Sequence, residues 1–325
     1  MKRPSLAQFF SELAREIYLV TWTLYKIMIP TIVVVKVLEE LGMLVYLSYL
    51  LSPAMELIGL PESMGIVWAT TIMTNLYVGM LVFFDVAQTE TLSIAQVTVL
   101  SMLLLVSHGL PIEARIAQRA GIRLGVTLFI RLVGALLLAW LAHQVYSTGN
   151  YLQQTNELAW APEVHDITPS QWLVSQLQSL FMILLIIAAL MTGLKILRLV
   201  GIERLLGVAL EPLLRIMGIG REATTITIVG MTLGLSFGGG LLIREAELGQ
   251  VSRRDIFSSL TMLALCHSLI EDTMLVMLLG AHHSGILWMR IVFTLVVLAI
   301  VTRWLRRRSD EFVDRWLFNR PKVDP

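Results

Sequence analysis

The chain has 325 residues, of which 56% are hydrophobic and 15% charged, with a mean hydropathy of +0.75. Soluble domains carry nearer a quarter of charged residues, so the composition excludes a soluble globular protein and predicts an integral membrane protein. The formal net charge of +1 gives no ground for nucleic-acid binding, and a single cysteine, Cys266, excludes an internal disulfide.

Residues 1–17 open basic, with no small-residue cleavage site behind a short apolar core. They read as a cytoplasmic amphipathic lead-in, not a removable signal. A first crossing is predicted over residues 18–37, because about 20 apolar residues span ~30 Å of hydrocarbon as a helix. An in-plane helix follows over 39–58, acidic through Glu39, Glu40 and Glu56. Next come an apolar run over 62–85, containing "TNLYVG", and crossings over 92–112 and 122–143. Residues 143–171 hold no Lys or Arg, so the segment 146–172 is read as an external loop. A crossing over 173–194 and a basic in-plane helix over 196–217 (Arg198, Arg204, Arg215) come next. A second apolar run over 222–243 with "LSFGGG" and crossings over 256–279 and 284–303 complete the spans. The basic tail, 305–325, reads as a cytoplasmic anchor beside acidic lipid.

Slid against itself, the chain has one productive register. His108 meets His267, 159 residues on, and at the same offset Lys36, Gly42, Pro53, Gly59, Gly79, Ser93 and Arg131 meet their own kind. "SHGLPIE" lies over "CHSLIED", with Glu113 on Asp272. This is read as a duplication of roughly residues 18–145 into 177–304.

Lys and Arg are absent from residues 37–114 and 132–194, and cluster elsewhere. The positive-inside rule puts the clusters in the cytoplasm. If residues 62–85 or 222–243 crossed fully, arginines would be stranded outside. Each is therefore predicted to enter and return by one face as a re-entrant helical hairpin, with tips at residues 74–79 and 235–240. Each repeat then has three crossings, one hairpin and one interfacial helix, and an odd number of crossings inverts the second copy. The fold class expected is an all-α integral membrane protein of inverted repeats in the inner membrane, both termini cytoplasmic.

That plan recurs in secondary transporters, which bind solute near the midplane. Ionisable residues inside spans line cavities, pair, or relay protons. His108, Glu113, His267, Glu271 and Asp272 are the candidates, with His267 and Glu271 four apart on one helix face. Two readings stand together: a cavity that handles protons or cations, and a structural network in which Arg131 and Arg290 neutralise the acids. Thr74, Asn75, Tyr77 and Ser236 at the hairpin tips either bind a polar solute or pack. Cys266 and His267 are weak metal candidates; His282 and His283 lie ~22 Å further along a continuous helix, so one site cannot hold all four. With no zinc-protease helix, phosphate loop or nucleophile elbow, no enzyme and no cofactor are expected. The partners expected are a small polar solute, a coupling ion (proton first), the lipid bilayer, and a second copy or a membrane partner.

The segments "GMTLGLSFGGGLLIREAELGQVSRRDIFSSLTMLALCHSLIEDTMLVMLLGA" and, more weakly, "IMTNLYVGMLVFFDVAQTETLSIAQVTVLSMLLLVSHGLPIEA" resemble the nucleoside-recognition, or Gate, domain family. Similar units occur in spore maturation membrane proteins, ferrous-iron transporters and concentrative nucleoside transporters. The resemblance implies a membrane permease of two Gate units. The chain departs from the nucleoside transporters in lacking a Gln-Thr-Glu element at its tips. It departs from the iron transporters in lacking a GTP-binding loop and a tip cysteine. Permease, non-transporting scaffold and divalent-metal permease remain the three readings.

Overall fold

Long apolar runs have one way to satisfy their own backbone in hydrocarbon without pairing to another segment, the α-helix. The computed structural model describes residues 6–88, 90–158 and 168–319, and among these the chain is all-helical, with two isolated bridges and no strand. Five helical stretches are long and apolar enough to cross a membrane: Phe10–Leu38, Ile94–Arg119, Leu124–Thr148, Ser170–Leu197 and Ser284–Arg306.

In chain order the first half consists of α1 (Leu6–Glu40), α2 (Met43–Leu57), α3 (Met64–Met73), α4 (Leu76–Val86), α5 (Ile94–Ser107), α6 (Leu110–Arg119) and α7 (Leu124–Thr148). The second consists of α8 (Pro169–Val200), α9 (Ile202–Ile216), α10 (Arg221–Leu233), α11 (Leu235–Glu247), α12 (Arg253–Leu265), α13 (Glu271–Met277) and α14 (Arg290–Arg306). A π-helical turn, Ser284–Met289, leads into α14, and a short α15 (Asp310–Trp316) follows it.

Local structure recurs at a separation of 159 residues. The bounds of α2 and α9 coincide at that offset, as do the first residues of α4 and α11 and of α5 and α12. The recurrence reaches individual caps. Ser93 Oγ accepts from Gln96 N at 3.2 Å, and Ser252 Oγ accepts from Asp255 N at 3.1 Å, each opening a helix. Gly59 (φ +69°) and Gly218 (φ +84°) end α2 and α9 in the left-handed region. An equivalent backbone bond closes each helix, Leu60 N to Met55 O at 2.9 Å and Ile219 N to Leu214 O at 3.1 Å.

The expected crossing over 256–279 is not one helix. α12 stops at Leu265 and α13 starts at Glu271, with Ser268 between them at φ +45°. The first half breaks more narrowly, at His108 and Gly109 (φ +58°), and Pro111 sits in the opening turn of α6, where its missing N–H leaves no acceptor unserved. Thus the wider break is the one without a proline.

Two helix pairs form hairpins. α3 packs on α4 and α10 on α11; helices of 10–13 residues reach only ~15–20 Å. The expected tips require correction. Thr74 and Asn75 make the first turn and Gly234 (φ +92°) the second, so Tyr77, Gly79 and Gly238 are already helical. Glycine has two uses, and here the second applies: a Cβ on Gly79 would collide with Thr71 Oγ1, and one on Gly238 with Gly230 Cα. These glycines let the hairpin arms touch, while the turns lie a few residues earlier.

α5 is buried nearly all round, whereas α1 and α8 leave large apolar side chains exposed, among them Trp22, Val33, Leu177 and Phe181. On α7, Phe129, Val133, Leu137, Leu141 and Val145 form an exposed stripe at every fourth residue; Trp288, Val292, Val296 and Ile300 repeat it in the second half. Apolar stripes of that size fit lipid, not water.

At one end, Arg119 and Arg253 line a common cavity of about 590 Å³ together with Phe318 and Asn319. The tail folds back there. Arg123 N donates to Leu317 O at 2.9 Å, Asp310 pairs with Arg254 at 2.8 Å and Asp314 with Arg253 at 2.8 Å. Arg308 lies over the rings of Trp304 and Phe312.

Candidate functional site: a histidine pair at two helix breaks

Where a helix is interrupted inside a fold, its last carbonyls lose their donors and must find others. Here arginines supply them. Arg131, fully buried on α7, donates from Nε to Val106 O at 2.9 Å and from Nη2 to His108 O at 2.8 Å. Arg290, fully buried at the start of α14, donates from Nε to Leu265 O at 3.0 Å and from Nη2 to His267 O at 3.0 Å. A planar guanidinium fork fits two neighbouring carbonyls, and its charge suits a helix C-terminus. Arg290 accounts for the second break: its donors replace the helical bonds that residues 266–270 forgo.

The two breaks place His108 and His267 face to face. Their Nε2 atoms are 3.1 Å apart and their ring centroids 4.9 Å. His108 Nδ1 lies 3.2 Å from Leu104 O and His267 Nδ1 lies 2.7 Å from Leu263 O. A carbonyl only accepts, so each Nδ1 carries the hydrogen and a neutral ring presents a lone pair at Nε2. Carboxylates join them. Glu113 Oε1 is 3.4 Å from His108 Nε2 and 3.2 Å from His267 Nε2. Asp272 Oδ2 is 3.7 and 3.9 Å from the same atoms and has no hydrogen-bond partner. Glu113 Oε2 pairs with Arg131 Nη1, whereas Arg290 Nη1, its counterpart, has no partner. The site is thus built alike from both halves but satisfied in only one.

Other sequence candidates divide. Glu271 opens α13 and accepts from Tyr77 OH at 3.2 Å. The expectation that His267 and Glu271 share a helix face fails, because residues 266–270 are not helical. Thr74 bonds back to Thr70 O at 2.6 Å, and Asn75 Oδ1 caps α4 by accepting from Val78 N at 3.1 Å. Both tip residues hold the turn. The side chain of Ser236 lies outside the described residues. Cys266 is buried and does not belong to the cluster of potential metal-ligand atoms, which comprises His108, Glu113 and His267. The His282 and His283 rings lie with centroids 4.1 Å apart, tilted by 40°, in the turn before the π-helical segment, with His282 N bonded to Thr98 Oγ1 at 2.9 Å. Burial, then neighbouring His283, hold the His282 imidazole below its usual value. The direct meeting of the two equivalent histidines escaped the sequence reading, although their alignment at the 159-residue offset was a signal for it.

The pair is closely packed. His267 is 2% exposed, and the cavity that touches Glu113 and Arg131 has about 10 Å³, room for about one water.

No family model and no solved structure matches the chain. It is similar to the uncharacterized membrane protein YvoD of Bacillus subtilis (strain 168), with 28% identity over 292 residues, 87% of this chain and 91% of that protein. With its five membrane-length apolar helices, the chain is a membrane protein.

Proposed function

We propose that the chain is a multi-pass permease of the bacterial inner membrane that moves a small polar or ionic solute by alternating access. It is built from two inverted copies of one unit, residues 18–145 and 173–304, each with a re-entrant hairpin and an interfacial helix. One observation carries the reading: two broken helices, 159 residues apart, meet at a buried histidine pair flanked by carboxylates and arginines. When a residue touches its own counterpart, the axis relating the copies passes between them, as at an isologous interface. Discontinuous helices meeting on such an axis are the binding sites of inverted-repeat transporters. The common cavity of Arg119 and Arg253 supports the hairpins' returning to one face. The resemblance to Gate units points the same way. The facing Nε2 atoms and carboxylate oxygens are all acceptors, which suits a cation between them, and a proton is a coupling ion they can carry.

The close packing favours one rival, a non-transporting scaffold that holds partners through its interfacial helices and the loop 146–172. Labelling separates them. In a Cys266→Ser background, Ser268→Cys places one thiol in the second break. A membrane-impermeant maleimide is applied to inside-out and right-side-out vesicles at acidic and alkaline pH. The permease labels from one face, at a rate that changes several-fold with pH. Protection from both faces under every condition refutes alternating access and leaves the scaffold.

A further inference from the structure

Four acceptors converge on one point with no donor among them: His108 Nε2, His267 Nε2, Glu113 Oε1 and, slightly further, Asp272 Oδ2. Both rings are held in the tautomer that turns an Nε2 lone pair inward, because Leu104 O and Leu263 O take the Nδ1 hydrogens. Second-shell carbonyls that fix a ring in this way are the usual support of metal-binding histidines. Glu113 is oriented likewise, with Oε2 on Arg131 and Oε1 left for the gap.

The spacing then discriminates. Metal bonds of ~2.0–2.1 Å at a tetrahedral angle put ligand atoms ~3.3–3.4 Å apart. The three edges among the Nε2 pair and Glu113 Oε1 are 3.1, 3.2 and 3.4 Å. Nitrogen with carboxylate oxygen suits first-row transition ions above Ca²⁺ or Mg²⁺, which prefer oxygen alone. Two buried arginines, Arg131 and Arg290, oppose an added positive charge, and the Glu113 carboxylate, paired with Arg131 through Oε2, offsets one of them.

We infer that His108, His267 and Glu113 form a three-ligand site for a divalent first-row transition-metal ion, with Asp272 Oδ2 accepting from water in the fourth position. The inference rests on the permease reading only for its role: the ion is then the solute, released when the two halves part and separate the histidines. The ligand set crosses the two halves, so neither half holds the ion alone.

The test uses full-length protein in detergent, stripped with a chelator and titrated with Co²⁺ as a coloured probe. Wild type retains about one Co²⁺ per chain after desalting and develops the visible bands of a low-coordinate nitrogen–oxygen site. His108→Ala with His267→Ala loses the bands; Glu113→Gln, which leaves Arg131 an acceptor, weakens retention at least ~10-fold. His282→Ala with His283→Ala changes nothing. Absence of stoichiometric Co²⁺ in wild type overturns the site whatever the variants' folding, as does binding that follows His282 and His283. Zn²⁺ flux into proteoliposomes answers separately: metal retained but never moved supports the site and removes the ion as the permease's solute.

Discussion

Replacing Arg131 by Met removes three hydrogen bonds and keeps most of the buried stem. Val106 O and His108 O lose their donors, and Glu113 is left as a carboxylate with no counter-charge in hydrogen-bond contact. Each orphaned buried acceptor costs ~1–3 kcal/mol, and breaking one side of a buried ion pair costs ~3–5 kcal/mol. These overlap, so the expected loss is ~4–5 kcal/mol, a large part of a typical 5–15 kcal/mol stability. Arg290→Met strands two carbonyls and no hydrogen-bonded acid, so it costs less, ~2–3 kcal/mol. Adding Glu113→Gln to Arg131→Met removes the stranded charge and returns ~1.5 kcal/mol or more, a coupling a double-mutant cycle isolates. Arg131→Lys keeps the charge but not the fork and falls between Met and wild type. Reversible denaturation in mixed micelles, followed by circular dichroism, measures these variants, the Glu113→Gln single variant and wild type, six proteins in all. The reasoning fails if Arg131→Met lies within ~1 kcal/mol of wild type, or if the cycle shows no coupling.

Gly238→Ala drives a Cβ into Gly230 Cα and to 2.8 Å from Gly230 N; with backbone on both sides it costs ~2–3 kcal/mol in the same assay. Gly79→Ala meets the Thr71 hydroxyl instead, so Thr71→Ala restores most of the loss, and an unaffected Gly238→Ala denies the hairpin contact. In the Cys266→Ser background, Arg119→Cys and Arg253→Cys are labelled by an impermeant maleimide from the same face; labelling from opposite faces removes the re-entrant hairpins and the inverted repeat with them.

What could be read from the sequence were demands made on the local backbone. Ser93 and Ser252 announce helix starts and Gly59 and Gly218 helix ends because a cap or a left-handed φ is met within a few residues. The same locality explains the misplaced tips. "TNLYVG" and "LSFGGG" contain glycines that look like turn residues, yet Gly79 and Gly238 answer to Thr71 and Gly230, eight residues back, and only packing reveals that use.

The breaks show the same division of labour. Pro111 and Gly109 advertise the first, and nothing in "CHSLIED" advertises the second, because its cause is Arg290, distant along the chain. Both arginines stand 23 residues after their histidines, and an arginine inside a span must find acceptors. A helix that breaks supplies two. The buried arginine and the broken helix are therefore one structural device, and each half carries it. Satisfaction differs between the copies: Glu113 reaches Arg131, whereas Asp272, one methylene shorter, leaves Oδ2 and Arg290 Nη1 without partners. A buried unsatisfied pair is costly to keep unless something else uses it, and the atoms beside it are the two Nε2 lone pairs.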